Sequence, residues 1–188
     1  MASPRIIAGK AKGLRLKSVP RDITRPITDR VKEALFNIIS ADIVDSRFLD
    51  LFGGTGSVGI EALSRGADFV QFIDKNQAAC IVLKDNLDKC GLSNKANIRK
   101  IDAFSYISTD PGISFDYIFI APPQYCNLWS KMVELIDSNN GYLNDNAWVI
   151  VQIDPKEYKK LILINLKEFD LRDYGSTRLV FYTLVSSA

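Results

Sequence analysis

A glycine-rich turn after a short apolar run constrains the fold of this chain more than any other feature. In FLDLFGGTGSVGIEAL, a predicted strand ends at Asp50. Gly54, Gly56 and Gly59 follow in the G-x-G-x-x-G spacing, which lets the backbone approach a ligand beside the N-terminus of the next helix. The next predicted strand ends in Asp74, where a carboxylate can accept hydrogen bonds from both hydroxyls of a ribose. The pattern favours a nucleoside-binding turn over a tight strand-to-helix turn without a ligand.

Two nucleoside cofactors fit this turn, a nicotinamide dinucleotide and S-adenosylmethionine. A carboxylate at Asp50 would repel a pyrophosphate but can approach a cationic sulfonium, which favours S-adenosylmethionine. Asp102 follows the third predicted strand, where it can either accept a hydrogen bond from an adenine amino group or cap the next helix. An NAD-dependent oxidoreductase is the alternative. The candidate cofactor-binding residues are Asp50, Phe52, Gly53, Gly54, Gly56, Asp74, Lys75, Asp102 and Ala103.

Strand-like and helix-like segments alternate along the rest of the chain, which is typical of an α/β protein. The apolar runs are nearly continuous, as expected for strands of a mostly parallel sheet covered by helices on both faces. The last two runs, FDLRDY and TRLVFYTLV, flank a Gly-Ser turn and are predicted to pair antiparallel. The other predicted strands are RFLDLF, FVQFID, ANIRKID, FDYIFIA and AWVIVQI, and the helices that follow the turn are SVGIEALSRG, NQAACIVLKDNLDKCG, SYIS, CNLWSKMVELIDS and PKEYKKLIL.

The N-terminal region carries most of the positive charge. Residues 1–32 hold nine Lys and Arg against two acidic residues, whereas the rest of the chain holds 15 basic and 20 acidic residues. This asymmetry favours a polyanion as the partner of the N-terminal region over a solvated basic tail. RIIAGKAKGLRLKSV is predicted to form a hairpin, and a helix capped by Thr28 or Asp29 follows it. We therefore divide the chain into a basic arm, residues 1–27, and a main domain, residues 28–188.

Composition narrows the chemistry that the chain can perform. It contains no histidine, which excludes Ser-His-Asp and Cys-His catalysis and histidine-ligated zinc. The cysteines, Cys80, Cys90 and Cys126, lack metal-ligand spacing, so we expect no metal site and free thiols in a reducing cytoplasm. With 47% hydrophobic and 24% charged residues and no apolar run of membrane-spanning length, we expect a monomeric cytoplasmic protein without a membrane partner.

Five motifs spread over almost the whole chain are RIIAGKAKG, TRPITDRVKEALFNII, LDLFGGTGSVGIEALSRGA, FDYIFIAPP and YGSTRLVFY. Through them the chain resembles the RsmD-type methyltransferases. The resemblance implies a Rossmann-like class I methyltransferase fold, with a seven-stranded, mostly parallel sheet whose last strand is antiparallel. It implies S-adenosylmethionine as cofactor and methylation of the exocyclic N2 of one guanine in 16S ribosomal RNA, as naked RNA or within a 30S subunit or assembly intermediate. The candidate RNA-contact residues in the arm are Arg5, Lys10, Lys12, Arg15 and Arg25.

One motif departs from this family. Its fourth strand normally ends in Asp-Pro-Pro-Tyr, where the acid accepts a hydrogen bond from the guanine amine and the aromatic ring stacks on the base. Here the sequence is Ala121-Pro122-Pro123-Gln124-Tyr125. The carbonyls of Ala121 and Pro122 could replace the lost acceptor, and Tyr125 could replace the stacking ring unless it packs on the following helix. An active enzyme, a slow enzyme and an inactive RNA-binding protein for ribosome assembly are the three possibilities, with Ala121, Pro122, Pro123 and Tyr125 as the candidate catalytic residues.

Overall fold

The chain folds around one twisted, mostly parallel β-sheet. The computed structural model describes residues 3–19 and 27–185. In that part, seven strands lie in the order β3-β2-β1-β4-β5-β7-β6, and β7 runs antiparallel to both of its neighbours. The sheet predicted from the resemblance is therefore confirmed. The strands are β1 (Arg47–Asp50), β2 (Phe69–Asp74), β3 (Ala96–Lys100), β4 (Phe115–Ile120), β5 (Leu143–Ile153), β6 (Leu166–Tyr174) and β7 (Thr177–Leu184).

Helices cover both faces of the sheet, because consecutive strand residues point to opposite faces. On β1, Phe48 packs into one apolar core and Leu49 into the other. Helices α1, α2 and α3 fill the first core, whereas α4 and α5 fill the second. The α-helices of the described residues are α1 (Asp29–Ile39), α2 (Ser57–Arg65), α3 (Gln77–Cys90), α4 (Ala103–Ile107) and α5 (Leu128–Ser138).

The ends of the helices follow local sequence signals. The Thr28 side chain accepts a hydrogen bond from the Val31 backbone at 3.3 Å, so Thr28 rather than Asp29 caps α1. Helices α2 and α3 end at Gly66 and Gly91, which both adopt the left-handed conformation that glycine tolerates best. These predicted boundaries are confirmed.

The predicted helix PKEYKKLIL is wrong. Only Pro155–Glu157 is helical, as a single 3₁₀ turn, and an extended segment follows. Its apolar side chains alternate, so that Leu161 and Leu163 pack on the second core while Ile162 is fully exposed. A period of two residues favours an extended chain over a helix.

The described part of the predicted basic arm, residues 3–19, packs against the first core. Arg5 and Arg15 form an antiparallel bridge, and the Gly13 backbone donates to the Ile6 carbonyl at 2.8 Å, so the predicted hairpin is present in a short form. Ile6, Ala11 and Leu16 are buried among the helices. This segment therefore contributes to the core besides carrying charge.

Among the described residues, no helix combines the length and the apolar character needed to cross a membrane. The same residues contain no cluster of His, Cys, Asp and Glu that could hold a metal ion. Cys80, Cys90 and Cys126 are free thiols.

Candidate cofactor and substrate site

A cavity of about 290 Å³ lies where the carboxyl ends of β1, β2, β3 and β4 meet. Ligands of open α/β sheets bind at this edge, because the strand-to-helix turns there point backbone amides and side chains toward one crevice. Eight predicted site residues line it, namely Phe52, Gly54, Asp74, Lys75, Asp102, Ala103, Ala121 and Pro123. The predicted residues outside this lining are Asp50, Gly53, Gly56, Pro122 and Tyr125.

The glycine-rich turn is shaped by backbone geometry that other residues tolerate poorly. Gly54 and Gly56 have φ angles of +51° and +78°, in the left-handed region. Gly59 lies against β2, where an added Cβ would stand 2.3 Å from a ring carbon of Phe72. The turn therefore places helix α2 close to the sheet and keeps the turn's backbone near the cavity.

Asp74 connects β2 to the glycine-rich turn. Its carboxylate accepts hydrogen bonds from the Gly54 backbone at 2.9 Å and from the Asn76 backbone at 2.8 Å. One contact is made by each oxygen, and a carboxylate oxygen can accept more than one hydrogen bond. Asp74 is therefore held in a fixed orientation at the cavity wall and retains acceptor capacity for a ligand.

Asp50 lies beneath the turn rather than in the cavity lining. The side chain is buried, its Oδ2 accepts a long hydrogen bond of 3.4 Å from the Gly59 backbone, and its Oδ1 has no hydrogen-bond partner among the described residues. Burial raises the pKa of Asp50 to about 7, although the Gly59 contact opposes this shift. A buried ionisable group with a pKa near neutrality beside a cavity is a candidate for a functional role.

Asp102 caps helix α4. Its Oδ1 accepts hydrogen bonds from the Phe104 and Ser105 backbones at 3.0 and 3.1 Å. The capping role, one of the two predicted roles of Asp102, is therefore present, and the same residue also lines the cavity.

The turn after β4 leaves the sheet at Ala121, as two consecutive prolines require. Ala121 is partly buried, Pro122 is buried and Pro123 is exposed. Tyr125 is 67% exposed, has a φ angle of +60°, and precedes the first residue of α5. The interpretation of Tyr125 as a packing residue on that helix is therefore wrong.

The predicted RNA-contact residues that the structure describes lie near the helices α1, α2 and α3. Arg5 forms an ion pair with Asp29 at 2.6 Å, near the start of α1. Lys10 lies at the opposite end of α2 from the glycine-rich turn, where its backbone donates to the Ser64 carbonyl at 2.8 Å. Lys10, Lys12 and Arg15 are exposed, and Arg25 lies outside the described residues.

The buried Asn86 of α3 was not among the predicted residues. Its Nδ2 donates to the Thr55 carbonyl of the glycine-rich turn at 2.9 Å and to the Lys17 carbonyl at 3.1 Å, while its Oδ1 accepts from the Lys17 backbone at 2.7 Å. Asn86 thereby joins the turn to the N-terminal segment, whose Val19 lines the cavity. Asn86 could have been found from the sequence, because it is a polar residue at helical spacing from Leu83 and beside Leu87, on the apolar side of a predicted helix. The other lining residues that were not predicted are Val19, Leu51, Asn76, Ala79, Phe104 and Leu128.

Comparisons with known proteins agree on one family. The family model described as conserved hypothetical protein 95 matches residues 4–183. The chain is 35% identical over 183 residues to ribosomal RNA small subunit methyltransferase D of Haemophilus influenzae, covering 96% of this chain and 92% of that one. It is 35% identical over 148 residues to the protein of the same name from Escherichia coli K12, covering 79% and 73%. A solved structure of a hypothetical protein from Thermus thermophilus superposes with a TM-score of 0.80 at 30% identity, covering 94% and 97%.

Proposed function

The chain belongs to the conserved hypothetical protein 95 family and is an RNA methyltransferase, and we propose that it methylates the exocyclic N2 of a guanine in small-subunit ribosomal RNA. The methyl donor in this proposal is S-adenosylmethionine. One observation carries the proposal: a single cavity is lined both by the glycine-rich turn with Asp74 and by the Ala121–Pro123 turn. A donor site and a nucleophile site must adjoin in this way, because group transfer requires the two reacting atoms to be held close and aligned.

The residues of the cavity fit S-adenosylmethionine. Asp74 is fixed at the end of β2 and can accept hydrogen bonds from ribose hydroxyls. The unpaired oxygen of the buried Asp50 favours a nearby positive charge. When bound, the donor supplies a methyl group attached to a positively charged sulfur. A dinucleotide offers a pyrophosphate instead, which Asp50 would repel, and the relatives of the chain are named methyltransferases rather than oxidoreductases.

The turn after β4 is the proposed guanine site. The amino nitrogen of guanine is a weak nucleophile because its lone pair is delocalised into the ring. We assign the carbonyls of Ala121 and Pro122 as acceptors for its N–H groups, and Pro122 and Pro123 stiffen the backbone that carries them. Tyr125 is the proposed stacking ring for the extruded base, in the absence of an aromatic residue at Gln124.

The N-terminal segment is the proposed RNA-binding surface. Lys10, Lys12 and Arg15 are exposed on one short hairpin that also forms part of the first core. Contacts of Lys and Arg with phosphates hold the nucleic acid in place without reading its sequence. The guanine that is methylated is then selected by the turn after β4.

Methyl transfer is tested directly with tritiated S-adenosylmethionine, the purified protein, and either naked 16S ribosomal RNA or 30S subunits from cells that lack the native modification. We expect label in RNA, and nuclease digestion should release it as N2-methylguanosine. An Asp74→Ala protein serves as the control for a contaminating methyltransferase. Label in another nucleoside would overturn the N2 assignment.

RNA binding without methyl transfer is the alternative, and Ala121 together with Gln124 favours it. The family motif that the chain resembles has an acid and an aromatic residue at these two positions. The same assay decides between the two functions. Wild-type protein that binds ribosomal RNA and S-adenosylmethionine but gives no label on either substrate would establish the alternative.

A further inference from the structure

Tyr125 is held in a backbone conformation that a tyrosine adopts rarely. Its φ angle of +60° lies in the left-handed region, where the Cβ of a non-glycine residue is crowded. Such a conformation persists only when surrounding contacts impose it, and it is concentrated at ligand and active sites. Tyr125 is nevertheless 67% exposed, so burial in the core does not impose this conformation.

Two hydrogen bonds join Tyr125 to the turn after β5. The Tyr125 backbone N–H donates to Glu157 Oε1, and the Tyr125 hydroxyl donates to Asp154 Oδ2 at 2.9 Å. Both acceptors therefore belong to the 3₁₀ turn Pro155–Glu157 and the residue that caps it. The two contacts lie at opposite ends of the residue, one on its backbone and one at the tip of its ring.

The turn after β5 is itself anchored. Asp154 is buried, and its Oδ1 accepts a hydrogen bond from the Lys156 backbone at 2.9 Å. Strands β4 and β5 are parallel neighbours, with Ile120 opposite Val151, so both turns leave the same edge of the sheet. Asp154 and Glu157 thus extend from a fixed edge toward the turn that carries Ala121.

We propose that Asp154 and Glu157 are positioning residues, which hold the ring of Tyr125 as a fixed platform on which the target base stacks. The inference rests on the proposed methylation of a guanine. A ring tethered at its backbone and at its hydroxyl is ordered before the base arrives, and this ordering lowers the cost of binding the base. Neither acceptor contacts the donor cavity, whose lining contains neither Asp154 nor Glu157. The two carboxylates therefore act through Tyr125 and not on the methyl donor.

Four variants test this arrangement. Tyr125→Ala removes the ring, Tyr125→Phe keeps the ring and removes the hydroxyl, Asp154→Asn keeps an acceptor oxygen, and Asp154→Ala removes it. Tyr158→Phe is the matched control, because the Tyr158 hydroxyl also donates to a carboxylate, that of Glu168 on β6, at 3.0 Å. Single-turnover methylation, RNA affinity and S-adenosylmethionine affinity are measured on each protein, and melting temperatures identify variants that fail to fold.

Tyr125→Ala should lower the single-turnover rate at saturating RNA by about tenfold or more, since stacking of a base on an aromatic residue is worth on the order of one to two powers of ten in binding. Tyr125→Phe and Asp154→Ala should each produce a smaller loss, of several-fold. The double variant that combines these two changes should be no worse than Asp154→Ala alone, because both changes break the same hydrogen bond. Asp154→Asn should retain more activity than Asp154→Ala, and S-adenosylmethionine affinity should stay constant throughout.

The possible failures are distinguishable. Wild-type protein without methyl transfer overturns the proposed function, and the positioning role with it. Wild-type transfer combined with unchanged rates in Tyr125→Phe and both Asp154 variants overturns the positioning role alone. The positioning role is also overturned if the rate losses of Tyr125→Phe and Asp154→Ala add in the double variant. It is likewise overturned if Tyr158→Phe loses as much rate as Tyr125→Phe. If Asp154→Ala fails to fold, Tyr125→Phe still decides, because the exposed ring of Tyr125 is not part of the core.

Discussion

Two sides of one cavity are built on different principles. On the side of β1 and β2, partly or fully buried polar groups fix the site: Asp74 holds the glycine-rich turn, and Asn86 joins that turn to the N-terminal segment. On the side of β4, an exposed turn without an acidic side chain is held from outside, by Asp154 and Glu157 of the next strand's turn. The two sides differ in burial and not in sequence distance, because the partners on the first side are 20 to 69 residues apart and those on the second are 29 and 32 residues apart.

This difference between the two sides matches their proposed tasks, which are binding the methyl donor and holding the target base. A donor common to many enzymes is bound by backbone geometry and one ribose acceptor, which a short motif can encode. A target base must be selected, extruded and held, and this requires an adaptable surface near the RNA. The two sides should therefore respond differently to mutation: the first in stability and donor affinity, the second in turnover.

The largest effect should come from Glu61, which supports the first side. Its buried carboxylate accepts from the Ile7 and Ala8 backbones and pairs with Arg65 and with the buried Lys32, whose Nζ is 3.5 Å away. Desolvation lowers the pKa of Lys32, and Glu61 opposes that shift. Glu61→Ala should reduce the free energy of unfolding by about 3–5 kcal/mol, because it leaves a buried charge without its partner.

Chemical denaturation of Glu61→Ala and wild type measures this loss. Asp85→Ala is the control, since Asp85 forms an exposed ion pair with Lys17 at 2.7 Å and should cost less than about 1 kcal/mol. If both variants lose the same free energy of unfolding, the buried contacts of Glu61 do not stabilise the first side of the cavity more than an exposed ion pair does.

The next effect concerns the donor. Asp74→Ala removes the acceptors proposed for the ribose and releases Gly54, so S-adenosylmethionine affinity should fall by about 2–3 kcal/mol, the scale of hydrogen bonds to a charged group. Calorimetric titration measures it. Asp68→Ala, at the opposite end of β2, should bind the donor normally. Unchanged affinity in Asp74→Ala would remove Asp74 from the donor site.

Asp50 should make the stability of the folded protein depend on pH. Its pKa of about 7 in the folded protein exceeds the ordinary 3.8, so the folded state binds the proton more tightly than the unfolded state does. The stability that this group contributes is present at low pH and is lost as pH rises from about 4 through about 7. Asp50→Asn should therefore gain stability relative to wild type over this window.

Donor affinity should follow the opposite trend in the wild type. The ionised form of Asp50 favours a cationic donor, so affinity for S-adenosylmethionine should rise as pH increases through the Asp50 pKa of about 7. Asp50→Asn should flatten that rise, and titrations at several pH values measure both proteins. A pH profile shared by the two proteins would mean that Asp50 does not titrate near neutrality.

Local patterns predicted where the glycine-rich turn and Asp74 lie in the fold. The glycine spacing, the Asp74 position and the Thr28 cap each depend on contacts within a few residues or on the regular βα alternation. The partners of Tyr125 and the role of Asn86 were not predicted, because they depend on chain segments far apart in sequence. The failed helix at PKEYKKLIL also depends on a distant contact: Asp137 of α5 accepts the backbone N–H groups of Ile164, Asn165 and Leu166, directly after that segment, and so fixes the chain where β6 begins.

RNA affinity should depend on the exposed lysines and arginines of the N-terminal segment. Replacing Arg5, Lys10, Lys12 and Arg15 with Gln should weaken binding and reduce the slope of log affinity against log salt by about 0.7 for each phosphate that the protein no longer neutralises. A Lys10→Gln/Lys12→Gln protein separates RNA binding from methyl transfer, because these two residues lie away from both sides of the cavity. It should bind RNA more weakly yet keep its rate at saturating RNA. An unchanged salt slope in the fourfold variant would exclude this segment as the RNA-binding surface.

The smallest effect should come from restoring the family's acid at the second side. If the carbonyls of Ala121 and Pro122 already accept the guanine N–H groups, Ala121→Asp should change the single-turnover rate by no more than about threefold, far less than the roughly hundredfold effect of a missing transition-state hydrogen bond.

Gln124→Tyr restores the family's aromatic residue and is the matched variant that tests base stacking. It should also change little, because Tyr125 is already held in place by Asp154 and Glu157. A rate increase of about tenfold or more in Ala121→Asp would contradict the backbone assignment, since it would mean that the turn after β4 lacks an acceptor which the proposed reaction needs. An increase confined to Gln124→Tyr would instead show that Tyr125 is an incomplete substitute for the lost ring.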